Sequence, residues 1–200
     1  MGRIVVMNHL TLDGVMQGPA RPGEDTRGGF THSGWGARSA QAPEAVSKAM
    51  SERMAAGGGL QGWLFGRWTY EDLLAVWNER GGPFKDALNA APKYVASATL
   101  AEPLPWPNST LLRGDPVDAV RSIRARSEGV LGIMGSGELI RSLMTADLID
   151  EYLLFVHPLV LGSGRRLFPE GVKLSLRLAE GVVTSAGVVI ATYEPVRAGG

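Results

Sequence analysis

Hydrophobic and polar positions divide the chain into short apolar runs and longer segments with helical spacing. Mostly apolar runs, typical of strands buried on both faces, cover 4–10, 63–65, 93–97, 110–113, 130–134 and 152–156. The intervening patterns predict helices that begin at Pro43, Thr69, Pro83 and Pro116, and one that follows Gly137 and ends near Ala146. Strands and helices therefore alternate over most of the chain.

The last thirty residues follow a different pattern. Leu174, Leu176 and Leu178 alternate with polar residues, and a turn at 185–187 leads to the apolar run 188–193. This alternation predicts an antiparallel hairpin. We therefore expect an α/β fold: a three-layer structure with a mostly parallel mixed sheet, helices on both faces and a C-terminal antiparallel hairpin. Nothing in the pattern divides the chain, so we expect one domain over 1–200.

Two junctions between a strand and a helix carry residues suited to binding an anion. Gly135, Ser136 and Gly137 follow the run 130–134 and precede a helix. The first turn of a helix has unpaired N–H donors, its dipole favours negative charge, and glycine lets a phosphate approach closely. The alternative is a tight turn that needs glycine only for its backbone.

The second junction is 66–69, in which Arg67 follows a glycine. A guanidinium there could bind a phosphate through two hydrogen bonds. Thr69 and Asp72 have the spacing of a capping box, which would start the helix at Thr69. The alternative for Arg67 is an ion pair with Glu71, four residues on. A third strand end, at Ser97 and Thr99, offers two hydroxyl groups to the same ligand.

Composition narrows the function. With 44% hydrophobic residues, the chain can form one sizeable core. Twenty basic residues balance twenty acidic ones, so we expect no nucleic-acid partner. No window approaches the roughly 20 apolar residues of a membrane helix, and we expect neither membrane insertion nor a signal peptide. The lack of cysteine excludes disulfides and is compatible with a cytoplasmic location. We expect no metal site.

Several motifs together carry a family resemblance. In order along the chain, RIVVMNHLTLDGVM, LFGRWTYE, KYVASATL, IMGSGELI, IDEYLLFVHPLVLGSGRRLFPEG and GVVTSAGVVIATYEP resemble the dihydrofolate-reductase-like superfamily. They are most similar to the branch related to the C-terminal reductase domain of the bifunctional riboflavin-biosynthesis deaminase/reductase. The resemblance runs from about Arg3 to Pro195. One departure is Trp68, where relatives tend to carry a small basic or polar residue.

The resemblance implies an NADP cofactor, a homodimer and a set of site residues. Asp13 would be catalytic, and Leu12, Trp35 and His157 would contact the substrate. The long segment 11–40 would form a lid. The residues implied for cofactor binding are Met7, Asn8, Gly66, Arg67, Trp68, Thr69, Ser97, Thr99, Gly135, Ser136, Gly137, Glu138 and Leu139.

The residues themselves leave alternatives open at several positions. Asp13-Gly14 is also a common turn dipeptide, and a lone histidine such as His157 is more often structural than catalytic. Trp35, Trp77 and Trp106 could stack on a planar heterocycle, but core packing is the better explanation for Trp77, at the end of an apolar helix face.

Two functions follow from these expectations. The first is an NADPH-dependent oxidoreductase that transfers a hydride to a small heterocyclic or carbonyl/imine substrate, as a riboflavin-pathway reductase does. The second is a non-catalytic nucleotide-binding or sensor protein on the same fold. Glu44 and Glu52, on the helix that begins at Pro43, read as solvated surface charges, so we expect the proton of a reduction to come from water or from Asp13.

Overall fold

The computed structural model describes residues 1–39 and 43–197 and shows eight strands of a mixed sheet, with helices between them. Two expectations extend past these limits: the long loop was expected to end at Ala40, and the single domain at residue 200. The elements are β1 (Arg3–Thr11), α1 (Trp35–Ser39), α2 (Pro43–Ala55), β2 (Leu60–Gly66), α3 (Arg67–Arg80), α4 (Pro83–Ala90), β3 (Lys93–Ala96), β4 (Ser109–Leu112), α5 (Pro116–Arg126), β5 (Val130–Met134), α6 (Gly137–Thr145), β6 (Glu151–His157), β7 (Leu176–Val183) and β8 (Val189–Pro195).

The chain divides into two compact units, and the first comprises Met1–Val5 and Met54–Leu148. Its strands lie in the order β4-β3-β2-β5, and each neighbouring pair is parallel. The buried residues of β5 are typical of a central parallel strand. Because the strands are parallel, the ends of β3, β2 and β5 lie at one edge of the sheet, where Gly66 pairs with Ala96.

The second unit comprises Val6–Arg53 and Ile149–Gly200. It contains most of β1, then β6, β8 and β7 in that order, with antiparallel pairing from β6 onwards. Strands β7 and β8 are the hairpin expected from the alternating leucines, which confirms the expected fold class. Both units consist of separate stretches of chain, and the expectation of a single domain stays a prediction.

The long segment after β1 is more ordered than its sequence indicated. It contains a 3₁₀ turn at Arg27–Gly29 and the short helix α1. Val15, Phe30 and Trp35 form a small buried core of their own. The Asp25 side chain is buried and accepts hydrogen bonds from the backbone and guanidinium of Arg27. This segment is thus a packed part of the second unit.

Several element bounds differ by one to three residues from the sequence-based prediction, and two of these differences concern residues expected to bind the cofactor. Helix α3 begins at Arg67, two residues before the predicted Thr69, and the capping-box interpretation is wrong. The cap position is Gly66, whose extended backbone leads from β2 straight into the helix. The Thr69 hydroxyl instead accepts a hydrogen bond from the backbone N–H of Ser136. Strand β3 ends at Ala96 and not at Ser97.

Candidate functional site

The two glycine-containing junctions of the first unit are bonded to each other. We call residues 66–69 and 135–137 the paired turns. The backbone N–H of Ser136 donates to the Thr69 hydroxyl oxygen at 2.9 Å. In the opposite direction, the N–H of Gly66 donates to the Ser136 hydroxyl oxygen at 3.0 Å. Side chains of one turn therefore satisfy backbone donors of the other, which fixes the relative position of the two helix starts.

The backbone of the second turn is strained. Gly135 has φ +57°, and Ser136, which is not a glycine, has φ +58°. A Cβ on residue 135 would lie 2.8 Å from the Thr69 hydroxyl oxygen, so this position requires glycine for space as well as for φ. A left-handed serine costs about 1 kcal/mol or more, and such strain is concentrated at functional sites. The two hydrogen bonds to the first turn, together with a bond of 3.1 Å that the Ser136 hydroxyl donates to the carbonyl oxygen of Met134, maintain this conformation.

Neither helix that starts at the paired turns is capped by a side chain. Helix α3 begins after Gly66 and helix α6 after Ser136, without a side-chain hydrogen bond at either cap. By contrast, the Asp115 carboxylate caps α5 by accepting from two N–H groups of its first turn. Two uncapped helix starts at the ends of adjacent parallel strands direct N–H dipoles toward one edge of the sheet. This arrangement suits a phosphate or pyrophosphate group.

The charges around the paired turns also suit an anion. The Arg67 side chain is exposed, and within the described residues it forms no ion pair, so the alternative pairing with Glu71 is not observed. The one acidic residue in the first turn of α6, Glu138, forms an ion pair of 3.0 Å with Arg141. A cation therefore lies beside the helix starts, and the nearby carboxylate has its own partner.

The remaining residues expected in this cluster have distinct environments. The Ser97 hydroxyl accepts hydrogen bonds from the N–H groups of Thr99 and Leu100 at 3.1 and 3.0 Å. Its oxygen also lies 3.4 Å from the Thr99 hydroxyl oxygen, so Ser97 stabilises its own turn. Trp68 is 39% exposed. Leu139 is a core residue, so only its backbone can face a ligand.

In the second unit, hydrogen bonds from three groups hold the Asp13 carboxylate in place. Its carboxylate accepts hydrogen bonds from the Thr11 hydroxyl, the N–H of Gly162 at 2.8 Å and the N–H of Leu161 at 3.2 Å. Burial by itself would raise the pKa of Asp13, but these hydrogen bonds together hold it below the usual value. The geometry favours the alternative that Asp13 is a turn residue, and its catalytic role stays a prediction.

The other residues expected in the second unit are mostly buried. Met7 and Asn8 lie in β1 with almost no exposed surface, whereas Leu12 is 64% exposed. The Trp35 indole is buried and donates to the backbone oxygen of Gln17 at 2.7 Å, so in this structure it is a packing residue. The contacts of Trp35 and Leu12 with a substrate stay predictions.

His157 has a partner that the sequence did not indicate. It is fully buried at the end of β6, and its Nε2 lies 2.9 Å from Nδ1 of His9 in β1. Burial lowers the pKa of both histidines, that of His9 to about 4, and the neighbouring His157 contributes to the shift of His9. Sequence reasoning missed His9 because it lies inside an apolar run, where no motif or spacing distinguishes it.

The order of the strands, with the paired turns at the ends of β2 and β5, defines a protein of the dihydrofolate-reductase-like fold. The RibD C-terminal domain family matches residues 3–190. The chain therefore belongs to that family.

Solved structures share this fold over nearly the whole chain. A protein from Shewanella sp. PV-4 with a provisional riboflavin-biosynthesis assignment is 25% identical, with a TM-score of 0.73 over 98% of this chain and 99% of that one. A pyrimidine reductase-like protein from Corynebacterium diphtheriae is 9% identical, with a TM-score of 0.63 over 98% and 92%. Dihydrofolate reductase from Enterococcus faecalis, in a complex with NADP(H), is 14% identical, with a TM-score of 0.58 over 98% and 97%.

One curated relative is the uncharacterized protein YyaP of Bacillus subtilis (strain 168), 29% identical over 103 residues. The match spans 50% of this chain and 53% of the relative, about half the length of each.

Across the described residues, no group of three or more histidines or carboxylates is placed to hold a metal ion. No described helix has the length and apolar character needed to cross a bilayer.

Proposed function

We propose that this protein is an NADPH-dependent reductase that transfers a hydride to a small heterocyclic or carbonyl/imine substrate. The observation that carries the proposal is the paired turns: two uncapped helix starts at adjacent strand ends, joined through Thr69 and Ser136. Membership of the RibD C-terminal domain family and the fold shared with an NADP(H)-bound dihydrofolate reductase support it.

The residues of the paired turns fit the phosphates of NADPH. The N–H groups at the starts of α3 and α6 would hold the pyrophosphate. Arg67 would bind the additional phosphate on the adenosine ribose, with Ser97 and Thr99 as a second set of donors. No acidic residue follows β2 or β3 closely enough to accept a ribose hydroxyl, as a site selective for NAD would usually provide.

When bound, NADPH supplies the hydride, and the protein supplies orientation and exclusion of water. Reduction of a carbonyl or imine group also requires a proton. The lowered pKa of Asp13 keeps its carboxylate ionised at neutral pH, and its oxygens are bonded to Thr11 and to the backbone of 161–162. Water is therefore the better-supported source of this proton.

A substitution at the start of α6 tests the phosphate site. In Gly137→Val, a branched side chain would occupy the place of a phosphate oxygen. We expect NADPH affinity to fall at least tenfold, about 1.4 kcal/mol, with the fold intact. Ser142→Val is the matched control, because it adds the same side chain at an exposed position later in α6. Unchanged NADPH affinity in a folded Gly137→Val protein would refute the assignment.

Turnover distinguishes the reductase from a sensor on the same fold. Oxidation of NADPH would be followed by absorbance in the presence of pteridine, pyrimidine and quinone acceptors. Oxidation that requires both the protein and one acceptor supports a reductase. Tight NADPH binding without oxidation by any acceptor would favour the non-catalytic alternative.

A further inference from the structure

Two histidines of the second unit form a hydrogen-bonded pair in which His157 is buried and His9 is partly exposed. Nδ1 of His9 and Nε2 of His157 lie 2.9 Å apart, so one nitrogen carries a hydrogen and donates it to the other. His157 has no exposed surface. An imidazole inside a protein is costly unless its polar atoms are satisfied, and here each ring satisfies one nitrogen of the other.

Aromatic rings hold this pair in place. The His9 ring stacks on Phe155 with centroids 4.9 Å apart and an angle of 28° between the planes. The rings of Trp35 and His157 are nearly perpendicular, with centroids 5.2 Å apart and an angle of 88° between the planes. Both imidazoles are therefore fixed in orientation as well as in position.

His9 differs from its neighbours in β1. All residues from Ile4 to Thr11 are buried except His9, which is partly exposed. Within the described residues, no hydrogen bond to Nε2 of His9 is present. Nδ1 is bonded to His157, so Nε2 is the nitrogen that remains for a ligand.

The pair also lies at the end of the sheet where ligands bind in this class of fold. His9 is near the carboxyl end of β1 and His157 is the last residue of β6. In α/β sheets, ligands bind outside the carboxyl ends of strands. Three of the buried polar residues, Asn8, Thr11 and His157, are near these two strand ends.

We propose that Nε2 of His9 hydrogen bonds an uncharged, planar substrate, and that His157 is a positioning residue that fixes the tautomer of His9. If Nδ1 of His9 donates to His157, Nε2 accepts from the substrate; if Nδ1 accepts, Nε2 carries the hydrogen and donates. In both cases the shared hydrogen gives Nε2 a single role. This inference rests on the proposed reductase function and specifies its substrate class.

The neutrality of the pair selects against an anion at this position. Burial and the neighbouring imidazole lower the pKa of His9 to about 4, so the pair is uncharged at neutral pH. An anionic group beside Nε2 would either remain without a counter-charge or require protonation of His9. Protonation three pH units above the pKa reduces affinity roughly a thousandfold.

Nitrogen-15 NMR of the imidazole rings tests the inference with two probes. Pterin is uncharged near neutral pH, and pterin-6-carboxylate adds an anion to the same ring system. We expect the His9 and His157 signals to report two neutral rings with one shared hydrogen. We expect pterin to shift the Nε2 signal of His9, and the carboxylate to bind at least tenfold more weakly.

Amide substitutions separate contact from packing. Asparagine places its amide near the position of Nδ1, and glutamine places it near Nε2. His9→Asn should therefore keep the hydrogen bond to His157, and its affinity for pterin should fall at least tenfold. For the positioning role, His157→Leu should allow His9 to populate both tautomers and should lower the affinity for pterin. His157→Gln should restore the single tautomer and the affinity. A packing role alone predicts that His9→Asn binds pterin normally.

Each result has a defined meaning. The inference is overturned if pterin leaves Nε2 of His9 unshifted, if both probes bind equally, or if folded His9→Asn binds pterin like the wild type. NADPH is titrated separately against the same samples. If NADPH binds but pterin leaves the His9 signal unchanged, this inference alone is contradicted. If pterin shifts the His9 signal but NADPH does not bind, the proposed reductase is contradicted.

Discussion

Removal of the Arg67 side chain should weaken the binding of NADPH without affecting the binding of NADH. The two nucleotides differ by one phosphate, and Arg67 is the exposed cation in the first turn of α3. A charge-assisted hydrogen bond contributes about 1.5–3 kcal/mol, which corresponds to a loss of roughly ten- to hundredfold in Kd. Arg67→Ala should show this loss for NADPH and almost none for NADH.

The structure also predicts that Arg67→Ala leaves the protein folded. Arg67 has no ion pair among the described residues, and exposed substitutions of this kind usually change the free energy of unfolding by less than about 0.5 kcal/mol. Removal of a cation from the start of a helix is slightly favourable. A loss of affinity therefore reports the contact and not unfolding.

Calorimetric titration of NADPH and NADH against three proteins provides the measurement. The wild type and Arg67→Ala are compared with Arg121→Ala, which removes the same charge from α5, where Arg121 pairs with Asp118. Loss of NADPH affinity in both variants would indicate a general charge effect. Equal binding of NADH and NADPH by the wild type, or equal losses for both in Arg67→Ala, would remove Arg67 from the phosphate site.

Thr69, His9 and the exposed face of β7 each allow a further test. Thr69→Val removes the acceptor for the Ser136 N–H, so the free energy of unfolding should fall by about 1 kcal/mol and NADPH should bind more weakly, whereas Thr69→Ser keeps both in urea titrations and binding assays. The pKa of His9 is about 4 in the folded protein and 6.5 in a free histidine, so the stability contributed by the neutral ring is complete above pH 6.5 and falls by up to about 3 kcal/mol as the pH decreases towards 4. His9→Asn should flatten this pH dependence of the urea midpoint, and an equally steep curve in the variant would contradict the prediction. Strand β7 is the last of the sheet and exposes Leu178, Val182 and Val183, at 55, 54 and 69%, so we expect a homodimer by light scattering, and a mass of 21.3 kDa would contradict this.

Local patterns predicted most elements of the fold. The run 130–134 coincides with β5, and Asp115 caps the helix that starts at Pro116, as the acidic residue before proline indicated. Alternating leucines predicted the C-terminal hairpin. These predictions succeed because strand periodicity, caps and turns depend on residues only a few positions apart.

Predictions that depended on distant partners were less successful. The spacing of Thr69 and Asp72 indicated a cap for α3, but the Thr69 hydroxyl accepts from Ser136, 67 residues away. No local pattern specifies this partner, because the strand order brings Ser136 to Thr69.

The sequence by itself determined the alternation of strands and helices, the two glycine junctions and the position of Arg67. Only the tertiary structure decided that the junctions bond to each other, that Asp13 is bonded to residues 161–162, and that His9 meets His157. The physical reason is that secondary structure follows from short-range periodicity, whereas hydrogen-bond partners and burial are decided by strand order. Strand order brings together residues that are more than a hundred positions apart, as for the two histidines.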